Sequence, residues 1–249
     1  MTAEVTASNF HIANLDSLRE LGPDYQVVAD VLSQVPKYEQ FGSSDLVRRH
    51  FKQLYEEYRN SEHIHVRLEK FRPDRLEPEE YQKHPHLKGS LEGLVIELPN
   101  ANTDKNLADY ADVLLVGNVH PNELVWTLTF RFFSRLLCEN PDLMHRFGIR
   151  HITFLDANPD LTRLSGEEMY KKGPLTILEY ISALYRGLDH PEWDLGFKFR
   201  RYLYRSRRLG TLVLERLLKE ERPDVIQTMH NASFGGMFFY VWPESRVNK

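Results

Sequence analysis

Residues 111–116, ADVLLV, are almost wholly apolar and are closed off on both sides by polar residues and turn formers. So short and uniform a run has no polar face to turn to water, so it is expected as a strand buried on both faces of a sheet. Helices must then cover the sheet on two sides, and neighbouring segments must supply more strands. Residues 94–98 are a short apolar strand, 149–155 read as another buried strand, and 224–229 (DVIQTM) as a strand that the preceding helix runs into. Between them, ELVWTLTFRFFSRLLCEN, ending at Asn140-Pro141, and LGTLVLERLLKEE have helical length and apolar spacing. The alternation predicts an α/β fold: a mixed, largely parallel central sheet with helices on both faces.

Upstream, Ser43-Ser44-Asp45 offers a helix cap ahead of LVRRHFKQLYEEYRN, where Leu46, Phe51, Leu54 and Tyr58 recur at roughly helical spacing. HIHVRLEKF alternates in period two and reads as a strand, and the proline-containing residues 72–88 read as a connection. Residues 157–206 read as long and irregular with short helical pieces, and residues 237–242 as a last apolar strand. A chain of 249 residues buries one main core. The expected division is a helical and strand segment, 1–84, packed on a core formed by 85–249.

The formal net charge of −4 supplies no broad positive field for nucleic acid or an anionic membrane, so small or peptide-like partners are expected. Residues 198–208, KFRRYLYRSRR, are a local exception, expected as a solvated helix face or loop, with an anionic-substrate patch as the alternative. Cys138 is the only cysteine, so no disulfide forms within the chain. No run approaches ~18 apolar residues, and the first residues lack a basic start followed by an apolar core. A soluble, cytoplasmic protein is expected.

His120-Pro121-Asn122-Glu123 places an imidazole and a carboxylate three residues apart where a strand hands over to a helix. That spacing lets both side chains face one divalent ion. His230 also follows an expected strand, as does the segment 156–163, and ligand sites in such sheets lie beyond the carboxyl ends of the strands. Two histidines and one glutamate leave a fourth position open for water, the arrangement of a catalytic zinc. Among 11 histidines and 36 acids, however, an HxxE alone is weak: Glu123 as a helix cap and hydrogen-bonded histidines at a loop edge are the commoner explanations of such a match, and placement after a strand with a second strand-end histidine raises the metal reading.

Three segments resemble the zinc carboxypeptidase family, in a divergent bacterial branch. DVLLVGNVHPNELVWTLTFRFFSRLL is similar to that family's strand, HxxE loop and helix, DVIQTMHNASFGGMFFYVWP to the strand carrying the third ligand, and GSLEGLVIELP to the segment preceding the metal loop. The resemblance implies zinc held by His120, Glu123 and His230, and hydrolysis of an amide bond in a peptide or peptide-like substrate by a zinc-activated water. Residues 154–163, FLDANPDLTR, stand where the family has Asp-x-Asn-Arg. This implies Asp156 as the carboxylate that orients His120 and Asn158 as a substrate contact. Pro159 stands where the family has arginine. Arg163 is the nearest replacement as carboxylate anchor, against the alternatives of an ion pair with Glu167 or Glu168 and of a second register that demotes Asn158.

The family's general-base glutamate lies further beyond the third ligand. Glu244 is the only acid after His230 and does not correspond to it. Two expectations stay open: a piece of a longer enzyme, or a naturally short protein that uses the pocket for binding. A related deacylase or desuccinylase is a third.

Overall fold

In the computed structural model the described residues are 42–73, 78–101, 103–120, 123–159, 197–199, 202–204 and 208–229. The chain enters through α1 (Ser44–Tyr58), where the Ser43 hydroxyl accepts a hydrogen bond from the Leu46 N–H and so satisfies a free donor of the first turn. Its buried stripe is Ser44, Val47, Phe51 and Leu54. Val47 rather than Leu46 holds the first apolar position, because 47, 51 and 54 follow the i, i+4, i+7 row of one helical face.

Strand β1 (His65–Phe71) follows, then a short helix α2 (Pro78–Lys83) and a 3₁₀ turn (Pro85–Lys88) within the stretch expected as plain connection. Strand β2 spans Leu91–Glu97, beginning earlier than the apolar run suggested. Strand β3 (Ala111–Gly117), helix α3 (Val125–Glu139), helix α4 (Asp142–Arg146) and strand β4 (Ile149–Asp156) come next. A two-stranded hairpin of β5 (Phe197–Phe199) and β6 (Tyr202–Tyr204) lies in the region expected to be irregular. Helix α5 (Leu209–Glu220) and strand β7 (Val225–Thr228) complete the described elements.

The main sheet has the order β1-β2-β4-β3-β7. Strands β4, β3 and β7 run parallel, while β1 and β2 add antiparallel pairings at one side. This is the mixed α/β sheet that the alternation of strands and helices implies. β3 sits between β4 and β7, and its residues 113–117 are buried. β7 lies at the sheet edge among the described residues, with Val225 and Ile226 both exposed. The final apolar run, 237–242, lies outside the described residues.

Helices cover both faces. On one, α1 and α3 meet the sheet through an aromatic cluster: the Phe130 ring stands edge-on to Trp126 and to Phe154, each at 5.3 Å, and Phe51 lies 6.2 Å from Phe130. Such pairs add to the burial of their large apolar areas. On the other face, Val213, Leu214 and Leu217 of α5 pack on Leu114, Val116, Val95 and Leu155. Successive residues of β3 and β4 thus serve opposite layers, as the period of two in a strand requires. Among the described residues no helix is long and apolar enough to cross a membrane.

Candidate metal centre

The three parallel strands end at one level. Gly117 pairs with Asp156 and Val116 with Thr228, and the ladder runs one step further through hydrogen bonds from Ala157 N–H to Gly117 O (3.1 Å) and from Met229 N–H to Val116 O (2.9 Å). The segments leaving β3, β4 and β7 therefore start side by side, roughly 4.8 Å apart. From β3 the chain passes to α3 on one face, whereas the helix that follows β4 among the described residues, α5, lies on the other. In α/β sheets ligands are held beyond the carboxyl ends of the strands.

Gly117 makes the departure from β3 possible. A Cβ there would stand 2.7 Å from the Trp126 ring and 3.0 Å from Phe130, so only glycine lets α3 come this close. Asn118, fully buried, then takes a left-handed conformation with φ +61. The turn closes where the Glu123 N–H donates to the His120 carbonyl at 2.9 Å. His120 and Glu123 are each only 8 % exposed. Imidazole and carboxylate thus belong to one tight turn, nearly out of water, beyond the carboxyl end of β3. The donor set, one nitrogen and one oxygen three residues apart, fits two ligands of a divalent ion.

Asp156, at the end of β4, is buried and accepts a 2.7 Å hydrogen bond from the Asn118 side-chain amide. Burial pushes its carboxyl up to about 6, against the opposing pull of the Asn118 amide, the Ser44 hydroxyl and the Asn158 backbone N–H. Asn158 donates its side-chain amide to the Asn118 carbonyl at 2.9 Å and, more weakly, to that of Val119 at 3.5 Å. Its other side faces Gly210 of α5, where a Cβ would run into the Ala157 carbonyl and lie 3.3 Å from Asn158 Oδ1. The structure thus places Asn158 as a strut between the loop after β3, β4 and α5.

His120, Glu123, Asp156 and Asn158 are brought to one end of the sheet. Arg163 and His230 lie outside the described residues, although Met229, the neighbour of His230, is fixed against β3. Among the described residues no group of three histidine, cysteine or acidic side chains is placed to hold a metal. Asn118 and Ser44 were not foreseen from the sequence. The one available signal was an asparagine directly after a strand, since asparagine adopts the left-handed conformation more readily than most residues.

The Asp156 carboxyl also gives a pH prediction. Its pKa is raised in the native state, so between about pH 4 and pH 6 the folded metal-free protein binds more protons than the unfolded chain, and stability falls as pH rises through that window. The penalty at neutral pH is on the order of 3 kcal/mol. His50 acts oppositely: burial pushes its imidazole down to about 4, so its contribution to stability rises with pH between about 4 and 6.5. The two slopes oppose one another in the wild type. Asp156→Asn removes this falling slope and leaves the rising slopes of His50 and His151, whose imidazoles burial lowers, so urea unfolding of the metal-free variant should show stability rising more steeply than in wild type from pH 4 to 6.5 and exceeding wild type at pH 7.5. A variant with the wild-type profile would contradict the assignment.

No protein-family model and no curated protein sequence matches the chain. Among solved structures, the chain is similar to the carboxypeptidase A from Helicoverpa armigera, with a TM-score of 0.43 and 14% identity over 86% of this chain and 53% of that one. The chain thus spans about half the length of that structure.

Proposed function

We propose that the chain carries the zinc centre of a carboxypeptidase-like hydrolase of amide bonds, with His120, Glu123 and His230 as ligands and a peptide or peptide-like molecule as substrate. The observation that supports it is the common level of three strand ends. A buried histidine and glutamate leave β3, the Asp156 carboxylate closes β4 beside them, and the residue before His230 is hydrogen-bonded to β3 from the other side.

When bound, zinc supplies a water of lowered pKa and polarises a carbonyl oxygen. The chain's own residues do the rest. His120 and Glu123 would hold the ion from one turn, with His230, the residue after β7 and Met229, as the third ligand. Asp156 orients the His120 imidazole, as carboxylates behind metal-bound histidines do. Arg163, with its planar guanidinium, is the candidate to hold a substrate carboxylate. Asn158 supports the loop from behind, and its contact with substrate is secondary to that role. No residue is assigned as general base.

The test is zinc content by elemental analysis, run beside hydrolysis of peptides with free and with amidated carboxyl ends. One zinc per chain, lost in His230→Ala, and cleavage confined to free carboxyl ends are the expected results. Zinc without cleavage leaves a site that holds carboxylated ligands, cleavage of acyl-amino acids alone marks a deacylase, and a metal-free wild type defeats the proposal.

A further inference from the structure

We propose that Asn118 is a positioning residue that presets the His120 and Glu123 pair before metal arrives, an inference that rests on reading the site as a zinc centre. Two residues ahead of His120, the chain must turn from strand to loop, and it does so with φ +61 at Asn118. Glycine would take that conformation without steric cost. An asparagine here brings a side-chain amide, and that amide is used: it donates to Asp156 Oδ1 at 2.7 Å, the short distance of a bond to a charged acceptor.

The same residue is gripped a second time, because its carbonyl accepts from the Asn158 amide at 2.9 Å. Asn118 is therefore bonded to both residues that flank Ala157 at the end of β4. Ala157 is itself tied to Gly117 by its N–H and packed under Gly210 of α5. Little freedom is left for the stretch 117–120 relative to β4. A metal arriving at this turn meets ligands already placed and need not organise the loop, which is the condition for tight binding. The bond to Asp156 also gives that carboxylate a fixed orientation.

The test separates the backbone from the amide. Asn118→Gly keeps the left-handed conformation and removes only the side chain, whereas Asn118→Ala removes the amide and also disfavours the backbone. Zinc affinity is measured by competition with a chromophoric chelator, and the coordination geometry by visible absorption of the cobalt(II)-loaded protein. Asn118→Gly should bind zinc about 10–100-fold more weakly than wild type, the usual loss for an outer partner of a metal ligand, with an altered cobalt spectrum. Asn158→Ala cuts the strut at its other end and should shift both readouts in the same direction. It serves as the measure should Asn118→Gly lose its fold. Wild-type affinity and spectrum in these variants would overturn the inference while leaving the zinc centre standing. A wild type that takes up no zinc removes the proposed function and the inference with it.

Discussion

Phe130→Ala is expected to lower the free energy of unfolding by about 3–5 kcal/mol, the range for emptying a large aromatic site in a packed core. Phe130 is fully buried and meets Trp126, Phe154 and Phe51, so it joins α3 to both the sheet and α1. Little can collapse into the gap, because Trp126 is itself pinned against Gly117. The loss should reach the site as well. α3 starts directly after the Glu123 turn, and an α3 that shifts on the sheet carries that turn with it. Chemical denaturation checks the first effect. Zinc affinity of the folded fraction checks the second, and an affinity unchanged from wild type would show that the turn is held by β4 alone.

His120→Ala should cost more than 100-fold in zinc affinity, above the range seen when an outer partner of a ligand is removed. It should cost the metal-free fold far less than Phe130→Ala does, since His120 stands in the turn after β3 and not in the aromatic cluster that joins α3 to the sheet. The contrast with Phe130→Ala is what distinguishes a ligand from a core residue: one variant loses metal and keeps stability, the other loses stability first. Calorimetric titration with zinc and thermal unfolding of the metal-free protein measure both. A large fall in the stability of metal-free His120→Ala would identify His120 as structural.

The central sheet was legible because its signal is local. ADVLLV is apolar but for Asp112 near its start, and so short an apolar segment belongs in the middle of a sheet, where β3 stands. That His120 and Glu123 share one turn was legible for the same reason: three residues of spacing at a strand end suffice to close it. What escaped is what depends on distant partners. The Asn118 bond to Asp156 crosses 38 residues of chain and has no trace in either local sequence. Ser44 reads as one more capping residue, while its neighbour Ser43 makes the cap and Ser44 goes inward. The stripe of α1 was misjudged by one position because Leu46 and Val47 are both apolar, and only the packed sheet decides between them. Asn158 reads as a ligand-facing polar residue after a strand, and the carbonyls that bind it belong to a loop 39 and 40 residues away. β7 reads as a strand and is one, and among the described residues it stands at the sheet edge with Val225 and Ile226 exposed.

Zinc K-edge X-ray absorption of the metal-loaded chain tests the centre most directly. The account predicts a first shell of nitrogen and oxygen only, at about 2.0–2.2 Å, with the outer-shell scattering of two imidazoles that falls to one in His230→Ala. A sulfur shell near about 2.3 Å, which only Cys138 or a methionine could supply, or scattering unchanged by His230→Ala, would contradict it.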